Sequence, residues 1–106
     1  MFDKLTEVEK RYDEVNEMLC RSDVASDIEQ YTKLMKELKQ LTPVTEKFRE
    51  YKAAAAAHED AQSLLEESSG DSELEELAQE QLKTSKEDMD RIQDELKILL
   101  LSLIHI

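Results

Sequence analysis

Two histidines, one cysteine and 26 carboxylates are the side chains of this 106-residue sequence with the clearest claim on chemistry. Helical two-metal sites take Glu-x-x-His from facing helices, because residues three apart share a face and bring carboxylate and imidazole to one ion. Ala55 stands three before His58, and Ser102 three before His105, so neither histidine carries that pattern. With no second His or nearby Cys to complete a ligand set, His58 reads as a packed or half-buried imidazole on a helix. Cys20 closes a helical stretch instead of opening one, where a thiolate would be favoured, and it reads as a small apolar filler. Paired general acids and bases need a cleft that desolvates one of them, and the carboxylates here fall on faces expected to meet water. No Gly-x-Ser-x-Gly elbow, Gly-rich phosphate loop or dinucleotide fingerprint is present. Met18, Met35 and Met89 occur at core spacing and read as packing. No residue is assigned a catalytic, cofactor-binding or metal-ligating role, and the expectation is a non-enzyme.

The elements that would position these side chains are helices. Gly and Pro occur once each, as Gly70 and Pro43, which leaves a sheet protein without material for its hairpins. From Phe2 the apolar residues fall at Leu5, Val8, Tyr12, Val15 and Leu19, steps of three and four that draw one stripe down a helix over 2–20. Ser26-Asp27-Ile28-Glu29 has the capping-box spacing and opens a second helix over 26–41, with Ile28, Tyr31, Leu34, Leu38 and Leu41 on one face. Thr42-Pro43 is expected to break the chain, since proline forces the residue before it out of the helical region and is itself pre-set for a first helical position. A third helix over 43–68 carries Val44, Phe48, Tyr51, Ala54, Ala55, Ala61, Leu64 and Leu65 and ends at Ser68-Ser69-Gly70. Within it the run Ala53 to Ala57 would let a neighbouring helix approach closely or lie partly exposed. Ser72-Glu73-Leu74-Glu75 repeats the capping-box spacing. It opens a fourth helix over 72–101 whose Ala78, Leu82, Ser85, Met89, Ile92, Leu96, Leu99 and Leu103 alternate steps of four and three. The expected fold is all-α, an elongated four-helix arrangement dominated by a long antiparallel hairpin of helices 3 and 4, with a shorter N-terminal helix pair packed on it.

The formal charge of -12 repels a phosphate backbone, and no dense Lys/Arg cluster offsets it, so autonomous nucleic-acid binding is not expected. The charge is uneven: residues 71 to 106 carry 10 acidic against 4 basic side chains. A single cysteine permits no intrachain disulfide. No signal peptide is present and no apolar run approaches the length of a membrane span, so a cytoplasmic setting and no membrane partner are expected.

Several segments in order and spacing resemble the N-terminal domain of bacterial class-I peptide chain release factors of the UAA/UAG-reading type. They are Arg11-Tyr12 with Glu14; Tyr31, Leu34, Lys36-Glu37 and Leu41; Tyr51-Lys52; Leu64-Leu65-Glu66-Glu67; Glu73-Leu74-Glu75-Glu76-Leu77-Ala78; and Leu96-Lys97-Ile98-Leu99-Leu100-Leu101. The resemblance covers nearly all of residues 1–101. It implies a helical appendage lying near the stalk base of the large ribosomal subunit, one that also helps the release-factor glutamine methyltransferase grip its substrate. Family members continue with Pro and a polar linker, then with the domains holding the codon-reading tripeptide and the Gly-Gly-Gln loop. Here Ser102-Leu103-Ile104-His105-Ile106 stands instead, so 102–106 is expected to be a non-family tail on a domain truncated before the parts that read codons and release peptide.

Two functional readings follow. In one, the chain is a non-catalytic docking and positioning domain in translation termination, with the ribosome and the methyltransferase as partners and no cofactor. In the other, it is a generic self-associating bundle or coiled-coil scaffold. The apolar side chains Leu103, Ile104 and Ile106 extend the fourth helix and, in either reading, make a homodimer through the end of that helix an expected outcome.

Overall fold

The computed structural model describes residues 1–104, of which helices hold 91%. In chain order these are α1 (Phe2–Leu19), α2 (Ser22–Ala25), α3 (Ile28–Glu67) and α4 (Ser72–Ile104). His105 and Ile106, which entered the reading of the tail above, lie outside the described residues. The chain divides into two units, one comprising Met1–Phe48 with the described residues from Leu96 onward, the other Arg49–Glu95.

In the first unit the α1 stripe behaves as its spacing requires. Leu5, Val8 and Val15 are buried, Tyr12 and Leu19 are half-buried, and the Phe2 ring stacks on Phe48 with centroids 6.5 Å apart. Between the first and second expected helices the chain forms the single turn α2, which buries Val24. α3 contributes Leu34, Leu41, Val44 and Phe48 to the core, and α4 contributes Leu96, which is fully covered. Ile28, expected on the core face, is 82% exposed as the first residue of α3.

The second unit is an antiparallel hairpin of α3 and α4. Glu50 faces Arg91 at 3.9 Å and His58 meets Ser85 at 3.1 Å, which fixes the register. That register sets Ala61 level with Leu82 and Leu65 level with Ala78, a small residue against a large one each time. Ala61, Ala78 and Ile92 are buried, with Leu64, Leu65, Leu82 and Met89 half-buried around them. Of the alanine run, Ala54 and Ala55 are half-buried while Ala53, Ala56 and Ala57 are exposed. The turn between the helices ends at Gly70, whose φ of 90° is the left-handed conformation that glycine adopts without strain.

Three local expectations are corrected. The break at Thr42-Pro43 does not occur: α3 runs through Pro43 without interruption. Proline inside a helix costs about 3 kcal/mol, from the lost N–H and a clash with the preceding turn. Burying Leu41, Val44 and Phe48 contributes about 1.5–3 kcal/mol apiece, and all three depend on the helix continuing. The carbonyl that Pro43 leaves without a donor belongs to exposed Lys39, where water can reach it. The other two corrections concern caps. Asp27 Oδ1 accepts from the Gln30 N–H at 3.1 Å, and Asp71 Oδ1 from the Leu74 N–H at 3.2 Å, so an aspartate beside each serine takes the capping position expected of Ser26 and Ser72. A carboxylate at a helix N-terminus adds charge to the same hydrogen bond, which favours it over a hydroxyl.

Among the described residues a buried hydroxyl is left unmatched. Thr45 is 1% exposed, and its Oγ1 has no hydrogen-bond partner. Replacing it by valine keeps the shape and removes the buried hydroxyl, so Thr45→Val is expected to raise the unfolding free energy by about 1 kcal/mol in denaturant titration. An unchanged or lowered stability would instead show that the hydroxyl is hydrogen-bonded in solution.

Candidate docking surface and its electrostatics

The side chains with chemical potential are spread over the molecule. Among the described residues no three of His, Cys, Asp or Glu come together in a way that could hold a metal ion. His58 sits half-buried with Nδ1 against the Ser85 hydroxyl, and that hydroxyl also donates back into its own helix, to the Gln81 carbonyl at 2.8 Å. The serine within the α4 stripe is thus a polar side chain whose needs are met inside the hairpin, which lets it be 5% exposed without penalty. Cys20 was expected to fill apolar space, but it is exposed. It caps the C-terminus of α1, its N–H donating to the Glu17 carbonyl at 3.1 Å, where the chain leaves the helix. Met18 and Met89 are half-buried, but Met35 is 41% exposed and forms part of a surface.

Two segments far apart in sequence meet in the first unit. The Arg11 guanidinium makes a two-pronged pair with the Glu37 carboxylate, through Nε to Oε1 and through Nη2 to Oε2 at 2.9 Å, and Nη1 lies 3.5 Å from Glu14. Arg11 is placed by α1 on the side next to its buried stripe, and Glu37 by the first half of α3. Sequence spacing alone could not foresee that pairing across 26 residues. The guanidinium holds the Glu37 carboxyl below the usual carboxylate range, its hydrogen bond outweighing the opposing effect of burial. The Arg11 pKa is raised, chiefly by the hydrogen bond it donates to Glu37 and in addition by Glu14. In the second unit Arg91 serves a similar role on α4, reaching Glu95 at 2.9 Å, Asp88 at 3.7 Å and Glu50 on α3.

Both partners of the Arg11–Glu37 pair are part-exposed, with 41% and 34% of the side chains accessible, so screening limits its worth to about 0.5–1 kcal/mol. Because the folded state lowers the Glu37 pKa, the unfolded chain binds that proton more readily. The stabilisation is present above the ordinary glutamate value of about 4.3 and is lost as pH falls below it, through the lower folded value. Arg11→Ala should therefore lower stability by about that amount at pH 7 and by progressively less below pH about 4, read as paired denaturant curves across pH. A deficit that stays constant down to strong acid would mean that the loss comes from packing and not from the ion pair.

Comparison with known proteins supplies the context for this arrangement. The sequence profile of the PCRF domain family matches residues 8–103. Over 101 residues the chain is 44% identical to peptide chain release factor 1 of Agathobacter rectalis and 40% identical to peptide chain release factor 1 of Streptococcus pyogenes, with 95% of this chain covered in each case. It spans 28% of the length of these curated relatives. No solved structure matches the chain. Several of the resembling segments take part in the contacts described: Arg11, Glu14 and Glu37 form the ion-paired cluster, and Leu96 is fully buried. With the family profile spanning most of its length, the chain belongs to the PCRF domain family.

Proposed function

We propose that this chain is a non-catalytic docking and positioning domain of a peptide chain release factor, acting in translation termination on the ribosome. The observation that carries the reading is the continuous similarity of 95% of the chain to release factor 1 sequences, of which it covers 28%. The dispersal of the His, Cys and carboxylate side chains is compatible with docking as the task. The partners proposed are the stalk base of the large ribosomal subunit and the release-factor glutamine methyltransferase, met in the cytoplasm. No helix among the described residues is long and apolar enough to cross a membrane. An acidic helical module of net charge -12 suits contact with protein surfaces better than leading on RNA. The chain is expected to co-sediment with ribosomes or to be retained by immobilised methyltransferase, and to give no stop-codon-dependent peptide release by itself. Measurable release by this polypeptide would refute the non-catalytic reading. Failure to bind either partner would refute the docking one.

A second reading, self-association, is favoured by one observation: Ile98, Leu101 and Ile104 are 66%, 56% and 61% exposed along the end of α4. Each side chain that finds cover contributes up to about 1.5–3 kcal/mol, enough for a dimer if several are covered together. Leu103, by contrast, already has partial cover in the first unit, in a depression it shares with Pro43, Val44 and Leu99. Light scattering on the full chain and on one ending at Leu101 separates the cases. A dimer lost on trimming supports tail-driven association, and equal monomer masses exclude it.

A further inference from the structure

We propose that the first half of α3 carries a docking stripe for an acidic amphipathic helix of a partner protein. The proposal rests on the docking reading above and gives it a surface and a partner chemistry. Ile28, Tyr31 and Met35 stand 82%, 40% and 41% exposed at the three- and four-residue steps that put them on one face of the helix. Thr32 and Thr42 lie on the same face, and both hydroxyls are already used inside the helix. Thr32 Oγ1 donates to the Ile28 carbonyl at 2.8 Å and Thr42 Oγ1 to the Leu38 carbonyl at 2.6 Å, so neither hydroxyl proton is left for a partner. The result is a largely apolar strip of about four turns on the solvent side of α3, away from the buried Leu34 and Leu41 and interrupted by Lys39. It includes a shallow depression of about 400 Å³ bordered by Thr32, Met35, Leu38 and Thr42 together with Lys36 and Lys39, of a size to receive a large aliphatic side chain beside the two lysines.

Charge selects the occupant. Lys33 and Lys36 run beside the strip and Lys39 lies within it, at three-residue steps, and none of the three makes an ion pair among the described residues. Over the same stretch the acidic side chains are Glu29 and Glu37, and Glu37 is occupied by Arg11. On a chain whose net charge is -12 this face is locally positive, so an acidic partner is attracted to it in preference to the rest of the surface. A second copy paired strip to strip about a twofold axis would set its own Lys33, Lys36 and Lys39 against these three, like charge on like. An RNA would use the lysines but gain little from an aliphatic strip bearing one tyrosine. An amphipathic helix with Leu or Ile on one face and Glu or Asp beside it uses both features, seating apolar anchors on Ile28, Tyr31 and Met35 while its carboxylates meet the lysines.

The test uses the whole chain and three probes: a short heptad peptide with Leu at its a and d positions and Glu elsewhere, the same peptide with Lys for Glu, and a single-stranded RNA. Met35→Glu and Lys39→Glu, both at exposed positions, are checked for unchanged helicity and melting. The Glu peptide is expected to bind in a salt-sensitive way, the Lys peptide not to bind, and each substitution to weaken the Glu peptide about tenfold. Glu-peptide affinity unaffected by both substitutions overturns the proposal, as does no binding at all. RNA binding that is lost with Lys39→Glu and kept with Met35→Glu overturns it in favour of a nucleic-acid surface. Self-association abolished by Met35→Glu overturns it in favour of a second copy. Ribosome co-sedimentation separates the two levels of the argument: a Met35→Glu chain that still co-sediments sinks this surface and leaves the docking reading standing. A wild-type chain that binds neither ribosomes nor methyltransferase sinks both.

Discussion

The uninterrupted apolar seam of α4 is the constraint on which the rest of the molecule depends. From Ala78 to Leu103 its inward positions step by four and three without a misplaced charge, and all eight are buried or half-buried. A helix of this length is marginal in water unless that stripe is covered, so α3 must present a matching face to it in each unit. This demand explains why α3 continues through Pro43. A break there would have spared about 3 kcal/mol at one residue while uncovering Leu41, Val44 and Phe48, whose burial contributes more in total.

Electrostatics plays a local part within this frame. Charged residues make up 38% of the chain, and ion pairs such as Lys86 to Asp90 and Arg91 to Glu95 span one helical turn on exposed faces, where they add solubility and little stability. Arg11 to Glu37 in the first unit and Arg91 to Glu50 in the second differ in joining separate helices. The first also occupies Glu37, so that of the two acids on this stretch of α3 Glu29 is left beside Lys33, Lys36 and Lys39, and a structural pair shapes the charge that a partner would meet.

The sequence showed the helical class, the α1 stripe, the α4 stripe and the turn at Gly70, because each rests on a periodicity or a backbone preference that neighbouring residues alone decide. It misled where tertiary contacts outweigh local preference. Pro43 carries the strongest local break signal in the chain and was overruled by packing. Ser26 and Ser72 match the capping-box spacing, but Asp27 and Asp71 beside them bond more strongly to the free N–H groups. Ile28 and Met35 share the helical spacing of core residues and are exposed, since periodicity identifies a face without saying what covers it. For the same reason the lysine-flanked strip went unseen: its apolar members were assigned inward. The Arg11–Glu37 pair joins two of the segments that resemble release factors, a link visible only once both helices are in place. The family resemblance itself was legible in short segments taken in order, and the match of the PCRF profile to residues 8–103 bears it out.

If the chain is a docking domain of a release factor, it should occupy on the ribosome a place that a complete factor also needs. Competition in a termination assay tests this most directly, with the chain added in increasing excess to ribosomes stalled at UAA while a full-length release factor 1 catalyses release. The account predicts that the chain raises the apparent KM of the full-length factor and leaves the rate at saturation unchanged. Release kinetics unaffected at any excess, in a preparation whose helicity and melting are intact, would contradict it.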